Sequence, residues 1–325
     1  MTKFPYPKLS SPRCIRLLTL NSNPDRICGS LEVHALEDSP EYIALSYTWG
    51  SPYPAYEFEC SGKPIQVSPN LFLALRQFVR HGITKPIWID AICINQTDNG
   101  EKCHQISLMR QIYARATCVY AWLGTATETE IHAVSSLPEM VQLIEGIDTS
   151  FKFDQYSMHS VDTTFTRAGI PPSSSPLWPV LGRVLTRPWF GRLWILQEVL
   201  LARNIQVYCG TACVSWECLA RLEKEVLWRQ LHILLTGDKS TFEDIAKAMN
   251  ILSSFQWCKK KMSQSVDSSV PIAGLLHVAR RKEVSEPSSR VYGILGLASE
   301  SIRNATTVDY SLPISRVYAD LIQEN

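Results

Sequence analysis

Short apolar segments alternate with amphipathic ones over residues 42–124, and this alternation constrains the fold more than any other feature. The apolar segments YIALSYTWGSP, KPIWIDAICINQ and TCVYAWLG are separated by SPNLFLALRQFVRHG and NGEKCHQISLMRQIYARA. In SPNLFLALRQFVRHG, Ser68 suits a helix cap, Pro69 the first helical position and Gly82 the end. Continuous apolar strands alternating with amphipathic helices predict an α/β fold with a doubly wound, mostly parallel sheet.

Other segments flank this alternation. Residues 13–20 and 27–36 predict an N-terminal antiparallel pair of strands, and YEFECSGKPIQV predicts a hairpin that turns at Ser61 and Gly62. The pattern weakens over about 125–180, where AGIPPSSSPLWP is typical of a loop, and most of the last third is helical in pattern. We therefore expect a core over residues 1–230 with an insertion near 125–180, and a helical extension over 231–325 that packs on it. The last amphipathic segment stops abruptly, so we expect the sequence to be a piece of a longer one.

The bulk composition narrows the class of partner. The net charge is +1, with 19% charged and 45% hydrophobic residues, so bulk electrostatics favours neither nucleic acid nor an anionic membrane. No apolar run is long enough to span a bilayer, and the N-terminus lacks a secretory pattern. We expect a cytoplasmic globular protein, in which the ten cysteines are reduced thiols rather than disulfides.

Motifs for cofactors and metals are weak. Neither G-x-G-x-x-G nor G-x-x-x-x-G-K-[ST] is present, so nucleotide binding through those loops is not expected. A zinc site could be drawn from cysteines 209, 213 and 218 with His232, but the spacings match no paired C-x-x-C pattern. We therefore predict no metal and no bound cofactor. A thiol nucleophile, Cys93 or Cys103 with His104 as base, is a further hypothesis, although buried structural cysteine is the favoured interpretation.

Polar and aromatic side chains follow the predicted strands where those strands end. Asp90 closes the strand in KPIWID, and Ser46, Tyr47 and Trp49 close the strand in YIALSYTWG. In open α/β sheets, ligands bind in the crevice beyond the carboxyl ends of the strands, so these residues are candidate ligand contacts. A turn or cap carboxylate without a ligand is the alternative for Asp90.

The segment RPWFGRLWILQEV predicts a helix that carries an aromatic ring and a carboxylate on one face. Trp194 and Glu198 are four residues apart, the spacing of neighbours on a helix surface. A carboxylate among apolar side chains loses solvation unless a ligand or a donor compensates. Glu198 is therefore a candidate functional residue, with an ion pair to Arg192 or Arg187, or a place on the helix surface, as the alternatives.

The sequence contains, in this order, YIALSYTWG, NLFLALRQF, the long box beginning WIDAICINQ, RPWFGRLWILQEV, and VYGILGLA with VDYSLPISRVYAD. Together these segments resemble the fungal heterokaryon-incompatibility (HET) domain family. The resemblance runs from about Arg13 to the end of the chain. It implies a role in fungal non-self recognition and regulated cell death, as an effector module alone or attached to a receptor, with self-association or a receptor-type partner.

A more distant resemblance is to Toll/interleukin-1 receptor (TIR) domains, whose order of boxes ends in a W-x-x-x-E helix. It implies a catalytic Glu198 preceded by Trp194, with Tyr47 and Asp90 near the ligand-facing strand ends, and NAD as a substrate that is hydrolysed. A single carboxylate suffices for that reaction because nicotinamide leaves as a neutral group, unlike the leaving group of an ordinary glycoside. Two alternatives stay open: a non-enzymatic signalling or oligomerisation module with a structural Glu198, and a cysteine-dependent hydrolase.

Overall fold

The computed structural model describes residues 4–21, 26–53, 55–153, 157–236, 242–280, 282–284 and 286–323. The strands are β1 (Cys14–Leu20), β2 (Cys28–Ala35), β3 (Ile43–Tyr47), β4 (Tyr56–Cys60), β5 (Lys63–Val67), β6 (Ile87–Trp88), β7 (Cys118–Trp122), β8 (Ile205–Cys209) and β9 (Ala212–Ser215). The helices to residue 200 are α1 (Pro69–Arg80), α2 (Asp90–Cys93), α3 (Asn99–Arg115), α4 (Glu128–Ser135), α5 (Leu137–Glu145), α6 (Met158–Ala168), α7 (Leu177–Leu185), α8 (Pro188–Gly191) and α9 (Ile195–Leu200). The later helices are α10 (Trp216–Trp228), α11 (His232–Leu235), α12 (Phe242–Gln264), α13 (Ile272–Ala279), α14 (Ser289–Leu295), α15 (Glu300–Ala305) and α16 (Ile314–Gln323).

The chain folds into two compact units that interleave along the sequence. Unit 1 comprises Met1–Trp122, Arg192–Ile205 and Cys258–Asn325, and unit 2 comprises Leu123–Gly191 and Gln206–Trp257. The predicted division at residue 230 stays a prediction. All the predicted site residues belong to unit 1.

The sheet of unit 1 is mixed, with its strands in the order β5-β4-β2-β1-β6-β3-β7. Parallel pairing joins β3 to β6 and to β7, and β2 to β4, whereas β1 is antiparallel to both β2 and β6. The α/β class is therefore confirmed, but the doubly wound, mostly parallel arrangement is not. The reason is that the N-terminal strand β1 lies inside the sheet next to β6, where it reverses the strand direction.

The predicted N-terminal strands and hairpin are confirmed. β1 and β2 pair in antiparallel register from Cys14 opposite Ala35 to Leu20 opposite Gly29. The hairpin of β4 and β5 turns at Ser61 and Gly62, whose φ angles are 49° and 73°. Two successive residues with positive φ make a turn whose twist matches that of the paired strands.

The caps of α1 are those that the sequence predicts. Ser68 Oγ accepts a hydrogen bond from Leu71 N at 3.3 Å, Pro69 is the first helical residue, and Gly82 takes a φ of 65° after the helix. The buried face of α1 includes Leu71, Leu75 and Phe78, which are fully enclosed. α1 therefore connects β3 to β6 with its apolar face in the core.

Two predicted elements are shorter than expected. The strand predicted to end near Asp90 is only Ile87–Trp88, and Asp90 starts the helical turn α2 instead, where its carboxylate accepts from Ala91 N at 2.7 Å. The helix predicted over WFGRLWILQEVLLA is divided into α8 and α9, because the backbone at Arg192 forms a parallel bridge with Glu283 and leaves the helical path.

Unit 2 holds the segment for which the sequence predicts an insertion. Helices α4 to α7 occupy most of it, and residues 170–176, the Pro/Ser-rich stretch, form the loop before α7; residues 154–156 lie outside the described residues. The strands β8 and β9 form an antiparallel hairpin, and Trp216 packs edge to face on Trp189 at 6.1 Å and on Phe255 at 5.1 Å. Over the described residues, no helix is long and apolar enough to cross a lipid bilayer.

Candidate functional site at the end of β3

The last residues of β3 carry polar groups into the interior of unit 1. Ser46 and Tyr47 are 1% and 2% exposed, and they lie opposite Ala121 and Trp122 of β7. Because water does not reach these positions, the serine hydroxyl needs a partner inside the protein.

Glu198 is that partner. Its carboxylate is 2% exposed, accepts a hydrogen bond from Ser46 Oγ, and accepts two more from Arg192, with Nη1 3.2 Å from Oε2 and Nη2 3.2 Å from Oε1. This two-pronged contact matches the planar guanidinium to the planar carboxylate. Of the two arginines that the sequence left open, the partner is therefore Arg192; Arg187 instead binds Glu130 Oε1 at 2.9 Å in unit 2.

The break before α9 positions this pair. Leu193 N donates to Glu283 O at 3.1 Å, next to the bridge between Arg192 and Glu283, and α9 begins two residues later. Trp194 lies beside α14, since a Cβ placed on Gly293 would be 3.7 Å from the indole Cδ2. The contacts that hold the Glu198 carboxylate thus come from β3 and Arg192, and Trp194 packs by α14.

Trp49 and Asp90 meet just beyond the strand ends, as the sequence predicts. The two strands β3 and β6 are parallel neighbours, and Trp49 Nε1 donates to Asp90 Oδ2 at 2.9 Å. Trp49 is 43% exposed and Asp90 is partly exposed, so this pair faces solvent whereas Glu198 does not. These two residues are therefore the accessible part of the candidate site.

Three charged groups act on one another here. Burial raises the pKa of Asp90 to about 6; the positive charge of Arg192 opposes the rise and the negative charge of Glu198 adds to it. Burial disfavours the charge on Arg192, but Glu198 and Asp90 outweigh burial and raise the pKa of its guanidinium. Arg192 therefore neutralises both carboxylates in part.

Two tyrosines border this group. Burial raises the pKa of the Tyr47 hydroxyl well above its usual value, and the charge of Asp90 adds to the rise. Tyr113 of α3, whose hydroxyl lies 3.4 Å from Leu45 O, has its pKa raised by burial and by the charges of Glu198 and Asp90. Both phenols are protonated at neutral pH. The sequence gave no signal that the Tyr113 hydroxyl borders the carboxylates.

Cys93, the candidate thiol nucleophile, is buried. Cys93 Sγ lies 3.3 Å from Ile89 N, and burial raises the pKa of this thiol to about 12, so it is protonated and a poor nucleophile at neutral pH. The His104 ring lies against Pro12 O. Within the described ranges, no group of three or more His, Cys, Asp or Glu side chains is placed to hold a metal ion.

Comparison with known proteins finds a family match over part of the chain. Residues 42–198 match the family model described as heterokaryon incompatibility protein (HET). The HET resemblance is thereby confirmed. The matched stretch begins one residue before β3 and ends at Glu198, so it contains Ser46, Asp90 and Arg192 as well.

A curated relative covers nearly the whole chain. It is heterokaryon incompatibility protein 6, OR allele, of Neurospora crassa, which is 27% identical over 363 residues, an alignment that includes 98% of this chain and 53% of the relative. The chain thus spans about half the length of the curated relative it matches. No solved structure matches the chain. The distant resemblance to TIR domains stays a prediction.

Proposed function

We propose that this chain is a heterokaryon-incompatibility module that acts in fungal non-self recognition. The match of residues 42–198 to the HET family and the similarity to heterokaryon incompatibility protein 6 support this role. Regulated cell death as the outcome, self-association or a receptor-type partner, and a cytoplasmic location belong to the same proposal. The test is expression of the chain in a filamentous fungus, with growth arrest or cell death as the expected result. Normal growth at a high level of folded protein would contradict the proposal.

At the molecular level, the geometry favours a structural role for Glu198, in a module that signals without catalysis. The observation that carries this proposal is the enclosure of the carboxylate, which is 2% exposed and bound by Ser46 and by both terminal nitrogens of Arg192. A catalytic carboxylate must reach its substrate, and in this arrangement each oxygen of Glu198 is already occupied by an internal donor.

NAD hydrolysis is the second candidate, favoured by the groups around the end of β3. The order β6-β3-β7 places the first strand of the parallel set between the other two, and in open sheets a ligand crevice forms where the strand order reverses. Trp49 offers an exposed aromatic face there, hydrogen-bonded to the Asp90 carboxylate. These are the features that a nucleotide substrate would use.

The chemistry requires a carboxylate beside the ribose. As the bond between C1′ and nicotinamide breaks, its electron pair goes to the pyridinium nitrogen, and the positive charge that develops on the ribose is stabilised by a nearby negative charge. Water then adds to C1′ and gives up a proton. Glu198 can serve only if Arg192 releases it, whereas Asp90 is partly exposed already.

Nicotinamide release discriminates the two candidates. The purified chain is incubated with NAD in dilute solution and again at high concentration, and wild type is compared with Glu198→Gln and Asp90→Asn at equal folded fraction. Glu41→Gln is the matched control, because Glu41 is an exposed carboxylate that pairs with Lys85 at 2.8 Å. The structural role predicts no release above buffer by any variant. Release that is lost in Glu198→Gln and retained in Glu41→Gln would overturn it in favour of hydrolysis.

A further inference from the structure

A cavity of unit 1 lies apart from the Glu198 carboxylate. It has a volume of about 510 Å³ and is lined by residues of α3, α14, α15 and the segment after α15. This volume lies in the usual range for small-molecule sites. Gln197 of α9 lines it, but its neighbour Glu198 is turned towards Ser46 and Arg192. The cavity is therefore distinct from the candidate site at the end of β3.

The charged groups that line this cavity are basic. Arg110 and Arg303 contribute to its wall, and the described residues that line it include no aspartate or glutamate. Arg110 donates to Gly296 O and Arg303 donates to Ala298 O, and within the described part of the chain neither guanidinium forms an ion pair with a carboxylate. Each guanidinium has five N–H donors, so each keeps donors that no internal acceptor among those residues takes up.

The two arginines are close enough to affect each other. Burial lowers the pKa of Arg110, and the positive charge of Arg303 lowers it further, while Asp267 acts in the opposite direction. The Asp267 carboxylate already accepts from Ser265 Oγ at 2.7 Å and from Glu300 N at 3.2 Å. Two like charges held together at a cavity wall repel each other, and an anion between them would remove that repulsion.

One residue that lines the same cavity carries a buried hydroxyl without a partner. Thr306 is 6% exposed, and its Oγ1 has no hydrogen-bond partner among the residues that the structure describes. A buried polar atom that lacks a partner destabilises a protein, so such atoms are rare and each calls for an explanation such as a ligand. Apolar walls come from Ile106, Leu295 and Val308.

We propose that this cavity binds a phosphorylated small molecule of nucleotide size, with Arg110 and Arg303 on the phosphate, the Thr306 side chain turning its Oγ1 towards the ligand as a further hydrogen-bonding group, and the apolar walls against the organic part. The arginine forks suit phosphate oxygens, and the volume exceeds what an inorganic ion fills. The site goes beyond the proposed function, since it uses neither Glu198 nor Asp90.

Calorimetric titration of the whole chain tests this site, with adenosine monophosphate, adenosine and inorganic phosphate as probes. We expect adenosine monophosphate to bind saturably and both other probes to bind at least about tenfold more weakly, because each lacks one half of the contacts. Arg303→Gln and Thr306→Val should each weaken the binding of adenosine monophosphate by about tenfold or less, and Arg303→Gln should have the larger effect. Arg80→Gln, an exposed arginine at the end of α1, is the matched control and should bind as wild type does.

Unfolding curves of the variants keep the result interpretable. Thr306→Val removes the unpartnered oxygen at nearly constant volume, so its melting temperature should be equal to or higher than that of wild type while its affinity falls. The proposal is overturned if adenosine monophosphate does not bind at millimolar concentration, if it binds equally well to wild type and Arg303→Gln, or if adenosine or inorganic phosphate binds as tightly.

Discussion

Arg192 and Arg303 belong to the same unit, yet their guanidinium groups have opposite surroundings. Arg192 makes a two-pronged contact with the enclosed carboxylate of Glu198, whereas Arg303 contacts a backbone carbonyl and lines a cavity whose described lining holds no acidic residue. A charge that is neutralised internally contributes to the fold, and a charge that is left without a counter-ion beside a cavity is available to a ligand. The difference teaches that the most conspicuous carboxylate of the sequence need not mark the binding site.

The largest expected effect on stability comes from removing the Glu198 carboxylate that neutralises Arg192. Glu198→Ala should lower the free energy of unfolding by about 3–5 kcal/mol, because it leaves Arg192, which is only 16% exposed, without its counter-ion and the buried Ser46 without its acceptor. Urea unfolding measures the change, with the exposed Glu41→Ala as the control. A loss no larger than that of the control would mean that the pair does not form.

Two glycines that line the cavity beside Arg303 test how tightly the wall of that cavity is packed. A Cβ on Gly296 would lie 2.1 Å from Gln197 Oε1 and 3.3 Å from Arg110 Cβ, so Gly296→Ala should destabilise the protein by about 1–3 kcal/mol through overpacking. Gly100 lies in the first turn of α3, where an added Cβ would be 3.4 Å from Asp98 Oδ1, its nearest neighbour. Gly100→Ala should therefore stabilise by up to about 1 kcal/mol. Thermal unfolding tests both, and equal effects would show that the wall at Gly296 is not tightly packed.

Asp90, whose charge interacts with that of Arg192, makes the stability of the folded protein depend on pH. Its pKa in the folded protein is raised to about 6, so the folded state binds the proton more tightly than the unfolded state does. The stability that this carboxyl contributes is full below about pH 4 and is lost as the pH rises through about 6. Asp90→Asn should therefore stabilise the protein by about 1–2 kcal/mol at about pH 7.5 and have little effect near pH 4. Urea unfolding at both pH values measures this, and the opposite pH trend would contradict it.

The smallest expected effect concerns Trp49. Its Nε1 donates to Asp90, and this hydrogen bond lowers the pKa of the carboxyl against the larger effect of burial. Trp49→Phe should therefore raise the pKa of Asp90 further and change the unfolding free energy by only about 0.5–1.5 kcal/mol. Titration of the Asp90 carboxyl carbon by NMR follows the shift. An unchanged or lower pKa would show that the indole does not hold this carboxylate.

Local signals made much of the fold predictable. The cap at Ser68, the positive-φ turn at Ser61 and Gly62 and the apolar strand β3 each depend on residues close in sequence, and each is confirmed. The mixed sheet was not predictable in the same way, because it depends on β1 lying beside β6, where Leu18 pairs with Ile87. Such a pairing is set by packing of the whole sheet and leaves no local pattern.

The candidate site was predictable in part for the same reason. Trp49 and Asp90 meet because neighbouring parallel strands end at one edge, a rule that sequence can apply. Helical spacing indicated the face of Glu198 but not its partner. The pairing with Arg192 depends on the backbone bridge between Arg192 and Glu283, which takes Arg192 out of the helix.

A double-mutant cycle between Arg192 and Glu198 tests most directly whether this carboxylate belongs to the protein's own interior. Unfolding free energies of wild type, Arg192→Ala, Glu198→Ala and the double variant give the coupling energy between the two side chains. A buried two-pronged ion pair predicts a coupling of about 2 kcal/mol or more. Additive effects of the two substitutions would contradict the account and return Glu198 to the residues free to act on a substrate.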